Sequence, residues 1–218
     1  SLAGINGPNQ IVVAGENEQV DLFTQKLPSM EIPNRLLKTS HAFHSHMMDS
    51  AIHEFTKFME GIRLEKPKIP IVSTVTGNFL SDSQATDISY WTGHMRNPVR
   101  FSAAVDTLFE EGKIFLEVGP GNVLSSLCRQ NPKSTGKVFL HGLINTEPLS
   151  DFNQFLNTVG SLWTEGANLD WRKINSPQAK KINLPTYAFK KELTWLNPIQ
   201  TKIAFSEPQN GIVQEQAQ

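Results

Sequence analysis

Three histidines fall in the short run His41-Ala42-Phe43-His44-Ser45-His46, the densest group of chemically capable side chains in the sequence. Imidazoles so spaced can ligate a metal, but no cysteine or carboxylate stands at a supporting distance. The nearest acid, Asp49, falls on the helix expected to follow. One of them can instead serve as a general base, fixed by packing at a strand-to-helix junction and reaching a cleft. Or all three are exposed loop histidines with no chemistry. The residues by themselves leave these readings open. Gly119-Pro120-Gly121 lacks the extended glycine spacing and the lysine of a phosphate loop, and reads as a tight turn. Cys128 is the single cysteine, so no internal disulfide is possible, which fits a reducing, cytoplasmic setting.

The elements that must position the histidines follow from periodicity. Ile11–Ala14 is a β-branched run after the turn residues Asn6-Gly7-Pro8. Glu18–Lys26 is helical, with Val20, Phe23 and then Leu27 on one face before Pro28. An extended stretch, Asn34–Thr39, leads into the histidines. From Ser45 a helix is expected, because Met48, Ile52, Phe55 and Met59 recur at helical steps until Gly61. Ile69–Val75 is a strand candidate. Thr86 or Asp87 caps a helix through Met95, closed by Pro98, and Ser102 caps another through Glu111. Lys113–Val118 is read as a strand, Val123–Arg129 as a short helix, Val138–Leu140 as a strand and Asp151–Glu165 as an amphipathic helix. Alternation of this kind implies an α/β architecture with a largely parallel sheet. Beyond it, Trp171, Tyr187, Phe189 and Trp195 lie in a Pro-containing, weakly periodic segment expected to drape over another surface. The last twenty or so residues, rich in Gln, Asn and Pro, read as disordered.

Composition narrows the function. Of 218 residues, 20 are basic and 21 acidic, a net charge of −1, which argues against nucleic acid or an anionic membrane as partner. No apolar run approaches the roughly 20 residues that span a bilayer. Ser1–Pro8 has neither the basic nor the apolar region of a signal peptide. With no initiator methionine and a strand-like run following almost at once, the chain reads as a piece of something longer.

Five motifs, in order along the chain, resemble the malonyl-type acyltransferase domain of modular type I polyketide synthases. Ile5-Asn6-Gly7-Pro8 with Ile11-Val12-Val13-Ala14-Gly15 is similar to its "NGP…VVVSG" segment, and His41-Ala42-Phe43-His44-Ser45 to its "HAFHS" signature. Trp91 with Arg96-Asn97-Pro98-Val99-Arg100-Phe101 resembles "W…RxPVRF", and Phe115–Gly121 matches "FLEVGPG". Leu184–Phe189 with Trp195 is close to the "LPTYPF…YW" segment that follows the domain. The resemblance implies ping-pong transfer of malonyl from coenzyme A to the phosphopantetheine thiol of an acyl carrier protein, with no bound cofactor. His44 then stands where the family has its catalytic histidine. A carbonyl of the Asn97–Arg100 turn, at or near Arg100, orients the ring. Phe43, flanked by His41, excludes a methyl branch on the acyl group; methylmalonyl-selecting relatives carry "YASH" there.

The family's nucleophile in "GHSxGE", its glutamine in "GQGSQ" and its malonyl-binding arginine have no counterpart in this sequence. All three belong to the front half of the domain. The resemblance therefore implies a partial α/β hydrolase-like subdomain (40–132) with the rear part of a ferredoxin-like subdomain (1–39), an extended linker (133–197) and a tail (198–218). The chain alone is expected to be inactive. Its implied partners are the N-terminal half of the acyltransferase, the acyl carrier protein and the neighbouring ketosynthase. An inactive remnant retained as a docking surface is the alternative.

Overall fold

The structure is a computed structural model that describes residues 1–119, 121–140, 151–180 and 182–190. It divides into two units, Ser1–Leu169 and Asp170–Gln218.

The first unit opens with an antiparallel hairpin, β1 (Leu2–Gly7) and β2 (Gln10–Val13), turned at Pro8-Asn9 with Gly7 opposite Gln10. Along its other edge β1 binds Val99: Ile5 N–H donates to the Val99 carbonyl at 2.8 Å, and Val99 N–H to the Ala3 carbonyl at 2.9 Å. Residues near the start of the chain thereby support the turn that reaches His44. After α1 (Asn17–Thr24) the expected second strand, Asn34–Thr39, is irregular. Pro33 withholds an N–H just before it, and Leu36 is 73% exposed, so it has neither a ladder nor an apolar face to join. The strand–helix–strand unit expected here is thus a hairpin followed by a helix.

His44 precedes a short 3-10 turn, His46–Met48, that runs into α2 (Asp49–Glu60). Met48 and Met59, at the two ends of the predicted stripe, are buried. The strand candidate Ile69–Val75 is instead a single bridge, Val72 to Phe79, around a turn. The cause is Ser73. Its buried hydroxyl accepts from Val75 N–H at 3.1 Å and Thr76 N–H at 3.3 Å, which draws the chain out of a ladder. Gly77, at φ 79°, completes the turn, and a Cβ there would lie 2.7 Å from that of Ala103.

Then come α3 (Asp82–Ala85), α4 (Ile88–Gly93), α5 (Phe101–Glu111), β3 (Ile114–Leu116), α6 (Val123–Arg129), β4 (Val138–Leu140) and α7 (Asp151–Thr164). Asp87 caps α4 by accepting from Ser89 N–H. Ser102 does not cap α5 but lies inside it; the N-cap is Arg100, two residues earlier. β3 and β4 pair in parallel, so among the described residues the expected largely parallel sheet is two two-stranded sheets, one of each kind. β4 therefore belongs with β3, and α7 packs on β4 within the first unit, although both lie in the stretch assigned to a linker.

The core forms where α5 covers this pair. Phe109 is 3% exposed and meets Phe115 edge-on at 4.9 Å, while Phe115 stacks on Phe139 at 5.6 Å. The Lys137 ammonium donates to the Phe109 and Gly112 carbonyls, satisfying the C-terminus of α5 with a cation. Glu117 does the converse for α6, its carboxylate accepting from Leu124 N–H at 3.0 Å and Ser125 N–H at 2.8 Å. Of the predicted Gly119-Pro120-Gly121 turn, Gly121 has φ 80°; Pro120 lies outside the described residues.

In the second unit α8 (Trp171–Ile174) is capped by Asp170, and Tyr187 meets Phe189 edge-on at 4.9 Å. Both of these rings are more than three-quarters exposed. The expectations for Trp195 and for 198–218 concern residues outside those described.

Candidate active site

Two contacts hold His44 to the segment that follows α4. Its backbone N–H donates to the Met95 carbonyl at 3.0 Å, and its ring Nδ1 lies 2.9 Å from the Asn97 carbonyl oxygen. A carbonyl can only accept, so Nδ1 carries the proton and Nε2 keeps a lone pair in the neutral ring. The acceptor is available because the chain cannot continue as a helix past Pro98. In a continuing helix the Asn97 carbonyl would meet the N–H four residues on; here Val99 has turned away to β1. Asn97 is itself fixed, its side-chain amide donating to the Gly93 carbonyl at 2.9 Å. Arg96 pairs with Asp49 at 2.8 Å and ties the same turn to the start of α2. The orienting carbonyl is thus that of Asn97, three residues before Arg100. Arg100 instead anchors the turn through its own N–H, which donates to the Thr74 carbonyl at 2.6 Å.

The His44 backbone has φ 61°, the left-handed region, which costs a residue other than glycine about 1–2 kcal/mol. Phe43 and His41 lie on the solvent side. Phe43 is 46% exposed, so the ring is not a core filler, and it sits 5.9 Å from the His41 ring at 57°. His41 Nδ1 lies 3.0 Å from the Ser40 hydroxyl. Among the described residues no three His, Cys, Asp or Glu side chains gather as metal ligands. Nor do Ser45, beside the histidine, or Cys128, on α6, suit a nucleophile's part. The Ser45 hydroxyl donates inward to the Ala42 carbonyl. Burial, and then the Glu117 carboxylate, push the Cys128 thiol up, away from the reactive thiolate.

His94 carries no signal in the sequence, where it is one more polar residue of a short helix. Its ring stacks on Trp91 at 5.5 Å and meets Tyr90 edge-on at 4.9 Å, and its Nε2 is buried with no hydrogen-bond partner among the described residues. Burial, and then the charge of His44, hold the His94 imidazole below the usual histidine range. The unfolded chain takes up this proton near the ordinary value of about 6.5, and the folded chain only at lower pH. The corresponding stability is fully present above that value and is lost as pH falls toward the folded one. Urea midpoints measured across this window should fall with pH in the wild type and fall less in His94→Gln. Equal slopes would assign the acid sensitivity to other groups.

Residues 1–159 match the acyl transferase domain family. A phenolphthiocerol/phthiocerol polyketide synthase polypeptide of Mycobacterium tuberculosis is 32% identical over 206 residues, which are 92% of this chain but 14% of that synthase. The acyltransferase domain from the second module of the salinomycin polyketide synthase has 30% identity and a TM-score of 0.76, over 87% of this chain and 44% of that one. The acyl transferase domain of SpnD, solved in complex with 2-(pent-4-yn-1-yl)malonyl, has 32% identity and a TM-score of 0.73, over 76% of this chain and 41% of that one. The chain thus spans less than half of these solved domains. Among the described residues no helix is long and apolar enough to cross a membrane. By the family match and by these relatives, the chain belongs to the acyl transferase domain family, in the form that occurs in type I polyketide synthases.

Proposed function

We propose that this chain supplies the histidine of an acyltransferase site that moves malonyl from coenzyme A to the phosphopantetheine thiol of an acyl carrier protein. The reading is carried by the His44 ring, whose Nδ1 is engaged by Asn97 so that Nε2 keeps its lone pair. In the first half-reaction Nε2 takes the proton of a serine hydroxyl, contributed by the part of the domain that precedes this chain, as that oxygen attacks the thioester carbonyl. The carbon–sulfur bond breaks, and the coenzyme A sulfur leaves with the proton from the imidazolium. In the second, Nε2 takes the proton of the phosphopantetheine thiol, the sulfur attacks the acyl ester, and the serine oxygen leaves and regains its proton.

The malonyl-type acyl group is supported by the His41–His44 signature and by the ligand of the SpnD domain. Phe43, with His41 against it, is the selecting wall; Asn97 orients the base, and Arg100 holds the orienting turn. The partners of this reading are the preceding portion of the domain, the carrier protein and the adjoining ketosynthase. Exposed Leu116, Val118, Val123 and Leu124, at the end of β3 and the start of α6, are the apolar face expected to receive the preceding portion.

Intact-mass analysis after incubation with malonyl-CoA, with and without the preceding portion of the domain, tests the reading. A malonyl adduct is expected only with both pieces present. A folded complex that acquires none would leave this chain as a docking surface without chemistry.

A further inference from the structure

Ser45 is wholly buried, with 0% exposure, although it sits between half-buried His44 and exposed His46. Its hydroxyl makes two bonds that straddle His44. It donates to the Ala42 carbonyl at 2.6 Å and accepts from Met47 N–H at 3.2 Å. Ala42–Ser45 is a turn with His44 in third place, where a φ of 61° calls for glycine or asparagine. Histidine enters this region more readily than most residues but still at a cost, so bonds that hold the turn matter. A plain helix cap would use only the bond from Met47. The bond to Ala42, on the far side of His44, closes the turn itself.

We propose that Ser45 is a positioning residue for His44: its buried hydroxyl locks the left-handed turn that lets the His44 backbone reach Met95 and its Nδ1 reach Asn97. From outside the loop, Met95 holds the His44 backbone, Asn97 holds its Nδ1, and the Asp49–Arg96 pair ties the Met95–Asn97 segment to the start of α2. Ser45 holds the His44 turn from within the loop that carries it. Its value to catalysis rests on the reading of His44 as base; the geometric claim does not.

The two are tested separately. In the 15N-labelled chain, long-range proton–nitrogen spectra should show wild-type His44 as a single Nδ1–H tautomer. In Ser45→Ala the two ring nitrogens should converge toward the mixture of a free imidazole, while the His94 signals stay in place. Ser45→Cys, similar in size and a weaker donor, should fall between them. A wild-type His44 that already exchanges between tautomers, or a folded Ser45→Ala that keeps the single one, would overturn the proposal. Should Ser45→Ala fail to fold, the wild-type spectrum and Ser45→Cys decide. In the whole acyltransferase, kcat should drop by ~10²-fold in Ser45→Ala with KM for malonyl-CoA little changed. A lost tautomer with no effect on transfer would retain the positioning role and remove His44 as the base.

Discussion

Replacing His44 by alanine in the complete acyltransferase is expected to lower the rate of malonyl transfer by about 10²–10⁴-fold, the range of a positioned general base. The loss should fall on kcat. His44 exchanges a proton with the reacting atoms and supplies little of the surface that holds coenzyme A, so KM should move by far less. Both half-reactions should suffer, because one nitrogen serves the serine in the first and the phosphopantetheine thiol in the second. Pre-steady-state labelling would show slow acylation, and pre-formed acyl-enzyme would discharge slowly to the carrier. His46→Ala is the control, since it is His44 whose ring is held to Asn97. A His44→Ala enzyme within tenfold of wild type would put the base elsewhere and reduce the His44–Asn97 contact to a loop fastening.

Much of this arrangement is legible in the sequence, and the pattern of success has a physical basis. Where one face repeats, the sequence announces the element. Val123–Arg129 and Val138–Leu140 form over the residues expected, and the stripe from Met48 to Met59 marks the helix after His44. Where backbone is diverted by a side chain, periodicity misleads. Ile69–Val75 has the β-branched content of a strand, yet one buried hydroxyl at Ser73 bends it into a turn. Leu2–Gly7 escapes notice for the opposite reason, because its two glycines and small residues leave a real strand without alternation. The site itself depends on a contact across 53 positions, His44 to Asn97, for which no local signal exists. The family resemblance brings the right turn to the histidine but sets the carbonyl near Arg100. Which carbonyl it is depends on where Pro98 ends the helical path. His94 and Ser45 are invisible as functional candidates because their importance lies in burial, and a lone polar residue carries no sign of that.

Phe43→Ser is expected to raise the use of methylmalonyl relative to malonyl by about 10–200-fold, the effect of admitting one extra carbon to a closed apolar site. The position makes the experiment unusually clean. With 46% of its surface exposed, the Phe43 ring fills no core, so its removal should leave the unfolding midpoint close to wild type. A selectivity change can then be assigned to the acyl group and not to a loosened fold. The ring meets that of His41 at 5.9 Å and 57°, so the two positions should not act independently. His41→Ala should give part of the same shift by freeing the Phe43 ring, and the double variant should shift less than the product of the two. Competition between equimolar malonyl-CoA and methylmalonyl-CoA, read by the mass of the acylated carrier, gives the ratio directly. Because the ratio compares two substrates on one enzyme, it is insensitive to any general loss of activity. A Phe43→Ser ratio within twofold of wild type would mean that the wall against the methyl branch is built by the portion of the domain preceding this chain, with Phe43 a bystander at its edge.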